Sequence, residues 1–532
     1  MSSARMRWVL LAISMVALVI HTRAYWFVTD DAYISFVYSR NLAEHGQLAF
    51  NVGLPPVEGY TNFLWTVILA GGIKIGIQPE QLSLWLALAC ALATQWLTVR
   101  IMDKAIGAPT ACSAIPALLL ACSSGFACWT SGGLETQLFV LLVVIGLDGV
   151  VSAVESPFAI VRAAVALGLS AMTRPEGLLI AGVFGIAHLY TLITRRNERA
   201  QWIAAFVAVA AFLAAWAPWF VWRFRYYGYL WPNTYYVKAS GRWASPKMGQ
   251  EMMRNGMYYL WVWLKQTKVV LAGPIILIGL VIGRPRSART VLAIALILLA
   301  GAYVPYTITV GGDFMGLHRF VMPLFVVAAL AIGLGLEWVL TVIPIPSVAR
   351  VIVYVAIVGG FAFTQVGLTR RSMEWGNWLP DHGIDTPSFL HVYTEDRAAI
   401  GKAMAPCFTD TDFSIVGGAG AQPYYGRMRA IDVFGLVSER IGHEEPRVRA
   451  RAGHTKFATD SLLAEYDPTF VFSCYLITSS SKPSPSLGCG GYWFAHGYEQ
   501  VSMKIPGMRQ QGDLYTFLVK KSRQFQCPGL VK

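Results

Sequence analysis

Long apolar windows recur along two thirds of this chain and decide most of what it can become. They fall at about 7–27, 82–100, 109–127, 134–152, 158–172, 177–194, 202–222, 269–283, 290–308, 320–342 and 350–367. A run on the order of 18 residues with almost no charge is what a helix needs to cross hydrocarbon. The pattern predicts a polytopic α-helical membrane domain over residues 1–369, with about eleven transmembrane helices. Composition agrees: only 14% of the 532 residues are charged, where a soluble domain carries about a quarter. The net charge of +13 belongs to cytoplasmic loops and anionic headgroups. It does not point to nucleic acid, because no basic surface interleaved with aromatics is visible.

The first window starts with Arg5 and Arg7 and runs on into His21-Thr22-Arg23 with no small-residue cleavage site. It reads as a retained signal anchor with a cytoplasmic N-terminus. Alternate turns then carry Arg100 with Lys104, Arg162, Arg195-Arg196 with Arg199, Arg284, Arg286 and Arg289, and Arg350. The turns between them carry Ser131 to Glu135, Arg174-Pro175-Glu176 and Gly312-Asp313. Basic groups on one side and acidic signatures on the other are what the positive-inside rule requires. The expected location is the bacterial plasma membrane, with the acidic turns outside. Residues 62–77 are apolar but short, which suits a juxtamembrane helix, and 29–61 reads as a polar loop.

After Thr369-Arg370-Arg371 the long apolar windows stop. Residues 370–532 read as an extracytoplasmic α/β domain, with a capped helix near Thr394–Ala405. Strand-like runs follow at Phe413–Val416, Thr469–Tyr475 and Leu514–Val519. Cys90, Cys112, Cys122 and Cys128 sit in the windows as small apolar residues. Cys407, Cys474, Cys489 and Cys527 lie in the outer domain, where disulfides are permitted in any of three pairings.

The chemistry concentrates in the outer turns. Asp30 and Asp31 stand at the mouth of the first span, where carboxylates are costly unless they act. One of them is suited to take a proton from an attacking hydroxyl. In the same segment Asn51, Glu58, Tyr60 and Asn62 offer hydrogen bonds to sugar hydroxyls, and Glu135, Glu176, Asn233, Asp313 and His318 join them from later turns. Arg174, Lys238, Arg319 and Arg225 supply cations for a phosphate. The Asp pair has the charge to attract a divalent cation, yet no metal or other cofactor is expected. Gly417 to Tyr425 invites a nucleotide-loop reading, but no Lys-Ser/Thr follows and no helix clearly opens there.

These outer-face pieces together resemble the GT-C superfamily of polyprenyl-phosphate-dependent glycosyltransferases. Within it they are similar to the terminal β-(1→2)-arabinofuranosyltransferase group. The likeness rests on Asp30-Asp31 with Arg40-Asn41-Leu42, Phe50-Asn51 with Val57-Glu58, Ser131 to Glu135, and Arg174-Pro175-Glu176. It continues through Tyr226-Tyr227-Gly228, Pro232-Asn233-Thr234, Lys238 and Gly312-Asp313 to Arg319. The chain departs from the group at Leu54-Pro55-Pro56, which leaves the sugar open. The resemblance implies an inverting single displacement with Asp30 as base and Asp31 as its alternative or orienting partner. It also implies a polyprenyl-phosphate sugar as donor and a glycan or glycolipid as acceptor. The rival reading is a lipid-linked-sugar flippase, which would place carboxylates at mid-membrane and show internal repeats.

Overall fold

The computed structural model describes residues 3–238, 245–281, 287–343, 346–374, 377–379, 384–445, 451–479, 486–510 and 512–531. Arg284 and Arg286 lie outside these. Each apolar window is occupied by helix, starting with α1 (Ser3–Arg23). Then α2 (Asp30–His45) opens the stretch expected as a polar loop. Its polar composition hides it from an apolar-window reading, but its ends are well marked. Thr29 is extended at the N-cap, and Asp30 and Asp31 oppose the dipole in the first turn. Gly46, at φ 69°, closes it by donating its N–H to the Asn41 and Leu42 carbonyls.

The short apolar helix α3 (Phe63–Lys74) precedes α4 (Pro79–Ile106). There follow α5 (Ile115–Cys122), α6 (Ser124–Cys128), α7 (Thr136–Ser152), α8 (Ala159–Thr173), α9 (Glu176–Thr194) and α10 (Arg199–Tyr227). Between the apolar windows at 202–222 and 269–283 lie the end of α10, α11 (Asn233–Lys238) and α12 (Pro246–Thr267). The bundle ends with α13 (Gly273–Val281), α14 (Ala288–Val310), α15 (Met322–Val342) and α16 (Ser347–Ser372). Among the described residues, seven helices are long and apolar enough to cross a membrane: α1, α4, α9, α10, α14, α15 with its preceding turn, and α16. An eighth arises if α12 and Val269–Val281, bent by 72°, form one span. The remaining windows hold shorter apolar helices of at most 17 residues.

The two ends of the bundle differ in charge. At one end Arg7 meets Asp103 at 2.6 Å, and Asp148 holds both Lys104 and Arg162 at 2.5 Å. Arg289 pairs there with Glu337 at 2.7 Å. At the other end the first turns of α2, α7 and α9 meet the last turns of α8 and α14 and the segment before α15.

That second end carries the extramembranous part. Its six-stranded sheet has the order β4-β3-β5-β7-β6-β8. The strands are β3 (Phe413–Val416), β4 (Arg429–Asp432), β5 (Phe470–Thr478), β6 (Tyr498–Lys504), β7 (Leu514–Lys520) and β8 (Leu530–Val531). A two-stranded piece, β1 (Asn377–Leu379) and β2 (Ile384–Asp385), precedes them. The β3 strand pairs in parallel with β4 and β5, and the other pairings in the larger sheet are antiparallel. The central strands are covered on both faces, so β7 buries Leu514 through Val519 without alternation. Phe470, Phe472 and Phe517 pack toward the side of α17 (Pro387–Met404), whereas Val471 and Leu518 join Trp493 in a second cluster. Disulfides Cys407–Cys527 and Cys474–Cys489 tie this part together.

Candidate active site

A cavity of about 400 Å³ opens where the two parts meet. Its geometry starts from a backbone clip. Gly132 donates its N–H to the Phe27 carbonyl at 2.7 Å, and Thr29 donates back to the Gly132 carbonyl at 3.0 Å. Gly132 and Gly133 both have positive φ, and a Cβ on Gly133 would sit 2.8 Å from Val28 Cγ1. Only glycine allows this approach. The clip fixes the first turn of α2 against that of α7, so Asp31 and Glu135 both line the cavity.

Nine of the fifteen residues singled out in the sequence line it: Asp31, Tyr60, Asn62, Glu135, Arg174, Glu176, Lys238, Asp313 and Arg319. They are not equally available. Arg174 spans Glu135 and Glu176, each at 3.1 Å, and is buried between them. Asn62 adds a 2.9 Å hydrogen bond to Glu135. Arg319 pairs with Asp313 at 3.0 Å and stacks over Trp129. Among the described residues, Asp31 and Lys238 line the cavity without a hydrogen-bond or ion-pair partner. Asp31 is thus the uncommitted carboxylate and Lys238 the uncommitted ammonium. Pro175, Leu178, Leu179, Val310 and Phe320 form an apolar wall. Leu436 and Gly453 of the sheet part close the top.

The other six residues lie elsewhere and do other work. Asp30 points to the sheet part, where its carboxylate accepts a 2.8 Å hydrogen bond from the Ala421 N–H. Burial, with Asp31 adding to it, pushes its pKa up to about 6 against those backbone donors. The glycine loop Gly417–Gly420 wraps this carboxylate, and a six-residue helix, α18 (Ala421–Gly426), does open after it. The anion at that helix N-terminus is Asp30 itself. Asn51 exchanges two 2.9 Å hydrogen bonds with the backbone of Ala430. Asn233 donates to the Gly435 and Leu436 carbonyls at 2.7 and 2.9 Å. Glu58 forms a buried two-point pair with Arg223 at 2.8 and 2.6 Å. Arg225 faces outward. His318, in a left-handed conformation with φ 64°, turns to Gln266 at 2.8 Å.

Arg223 escaped the sequence reading, although Arg223 and Tyr227 sit one helical turn apart and are both buried. Ser35, Trp231, Tyr235 and Tyr306 also line the cavity and were not singled out as site residues. In the sheet part, Tyr424 and Tyr425 pack on Tyr33, and Asp432 accepts the Leu436 and Val437 N–H groups. No group of three or more His, Cys, Asp or Glu that could hold a metal ion occurs among the described residues.

No known family profile matches the sequence. The terminal β-(1→2)-arabinofuranosyltransferase of Corynebacterium glutamicum is 28% identical over 337 residues, 57% of this chain. The chain spans about half the length of that relative, 47% of which is matched. Crystal structures of ArnT from Cupriavidus metallidurans align over nearly the whole chain at 14% identity. The form bound to undecaprenyl phosphate gives a TM-score of 0.59, covering 96% of this chain and 97% of ArnT. The apo form gives 0.58, covering 97% and 98%. A helical bundle capped by a mixed sheet aligns end to end with a solved architecture, and the chain is a multi-span membrane protein of the GT-C fold.

Proposed function

We propose that this chain is an integral-membrane glycosyltransferase that moves a sugar from a polyprenyl-phosphate donor to a hydroxyl of a cell-envelope glycan or glycolipid. The observation that carries the reading is Asp31, an unpaired carboxylate in the same cavity as Lys238 and Arg319. Undecaprenyl phosphate in ArnT supports the carrier class. The arabinofuranosyltransferase relative makes arabinofuranose the first sugar to test.

Asp31 takes the role that the sequence assigned first to Asp30. It accepts the proton of the acceptor hydroxyl as that oxygen attacks the anomeric carbon. The bond from the anomeric carbon to the phosphate oxygen breaks, and polyprenyl phosphate leaves with the electron pair. One displacement inverts the anomeric centre. Lys238 and the unpaired edge of Arg319 face the phosphate, where fixed cations stabilise the developing charge. Arg174 serves as a positioning residue that holds Glu135 and Glu176 for the sugar. The apolar wall of Leu178, Leu179, Val310 and Phe320 suits the first isoprene units. The site residues gather at one end of the bundle, which favours transfer over translocation.

The test is transfer from a polyprenyl-phosphate arabinofuranose donor by the full chain in nanodiscs, with Asp31→Asn and Asp30→Asn in parallel. Asp31→Asn should lose at least about 100-fold in rate and Asp30→Asn much less. Full transfer by Asp31→Asn, or lipid translocation without transfer, would sink the reading.

A further inference from the structure

Beyond the cavity, a row of rings runs along the outside of the molecule from Trp231. Successive centroids of Trp231, Tyr235, Tyr236, His443 and Tyr229 lie 5.3, 5.6, 4.0 and 4.4 Å apart. Trp231 and Tyr235 line the cavity. Trp231 also lines a neighbouring cleft with Tyr229, Glu439 and His443. The row therefore starts at the cavity and reaches the sheet part at His443, whose ring is flanked by Tyr236 and Tyr229, themselves 6.2 Å apart. Trp231 keeps 45% of its surface exposed, and none of the five rings is fully buried.

Two chemistries use such a row: a membrane interface and a carbohydrate. The rim argues for the second. Glu439 accepts the Tyr229 hydroxyl, and Glu444 lies on the same short segment, paired with Arg440 at 3.3 Å. Around His443 the carboxylates of Glu439 and Glu444 outnumber the Lys456 ammonium, which disfavours anionic headgroups, whereas a membrane belt is flanked by Lys and Arg. Neutral sugars have apolar C–H faces that stack on rigid rings and hydroxyl edges that bond to carboxylates and phenols. We propose that this row is an extended subsite for a neutral glycan chain, guiding the acceptor terminus past Trp231 toward Asp31. This rests on the transferase reading only for the direction of travel, since binding itself needs no donor.

The experiment uses the full chain in neutral phosphatidylcholine nanodiscs, titrated with size-graded arabinan oligosaccharides and maltooligosaccharides. Binding is read by tryptophan fluorescence and saturation-transfer NMR. The wild type should bind one series more tightly as its length increases. Tyr236→Leu and His443→Ala should weaken the longest member about tenfold and flatten the length dependence. Transfer to a monosaccharide acceptor is measured alongside. If no transfer occurs with any donor while length-dependent binding is lost in the variants, the transferase reading fails and the subsite stands. The subsite is overturned if the wild type binds neither series, or if the variants bind the longest member as wild type does. It is equally overturned if the variants only reduce partition onto anionic vesicles. If Tyr236→Leu lowers the Tm, Tyr229→Leu, on the other side of His443, carries the same test.

Discussion

The Asp30 carboxylate accepts the backbone N–H of Ala421 at 2.8 Å across 391 residues of sequence. Its neighbour Asp31 lines the cavity. Successive residues on a helix project about 100° apart, so one carboxylate docks the sheet part while the next faces the cavity. The pair joins assembly of the chamber roof to placement of the proposed base.

Gly420 is where this joint is most sensitive. A Cβ there would lie 2.0 Å from the Asp30 carbonyl oxygen and 2.5 Å from its Cγ. Backbone cannot move aside as a flexible side chain can. Gly420→Ala should cost at least about 2 kcal/mol and expose Ala421 to exchange. Hydrogen exchange at residues 420–426 checks it, and unchanged protection there would mean that the loop tolerates the methyl.

The same contact sets a pH dependence. Burial holds Asp30 near 6, above its ordinary 3.8, so the folded chain binds more protons than the unfolded one between those values. This contribution is fully present below about pH 4 and is lost as pH rises through 6, up to about 3 kcal/mol. Asp385, also pushed up to about 6 by burial, titrates in the same window and the same direction. Thermal unfolding in detergent should therefore give a Tm that falls from pH 5 to 7. Asp30→Asn should flatten that slope and leave the Asp385 share. An identical slope in the variant would show that Asp30 takes no part.

Much of this arrangement was legible in the sequence, and the rest has identifiable reasons for being hidden. Apolar windows report helices because burial in lipid demands unbroken hydrophobicity, so all eleven windows hold helix. Turn residues carrying charge between those windows found Glu135, Arg174, Asp313 and Arg319, because an ionisable group at a span end needs partners. The helix Asp30–His45 was missed since it buries Ser35, Ser39 and Asn41 in polar contacts and has no apolar run. Asn51 and Asn233 looked like sugar ligands, but their partners Ala430 and Leu436 are more than 200 residues distant. His318 turned away because Leu317 and His318 are both left-handed, which neither residue type announces.

Arg223 and Glu58 supply a third expectation. Their two-point pair is buried, and Arg223 also donates to the Leu230 carbonyl at 2.9 Å. Arg223→Met leaves Glu58 without a counter-charge and should cost about 3–5 kcal/mol. Adding Glu58→Gln should recover more than half of the lost Tm, since the stranded charge is then gone. Arg225→Met, two residues on and exposed, should change stability by no more than about 0.5 kcal/mol. Equal losses at 223 and 225 would refute the assignment.

Arg174 separates two accounts of how the donor is held. If its guanidinium gripped the lipid phosphate, Arg174→Lys would mainly raise KM for the donor, because a point charge still attracts phosphate. The structure has it bridging Glu135 and Glu176 at 3.1 Å each, and an ammonium cannot span both with the same geometry. One carboxylate is then released, the sugar loses its orientation, and kcat should fall about 10- to 100-fold with little change in KM. Glu176→Gln in the Arg174→Lys background should restore thermal stability by neutralising the freed group, while leaving kcat low. Steady-state transfer kinetics on the three proteins decide it. A donor KM that rises alone would return Arg174 to the phosphate and leave Glu135 and Glu176 to be held by Asn62 and the α9 helix dipole.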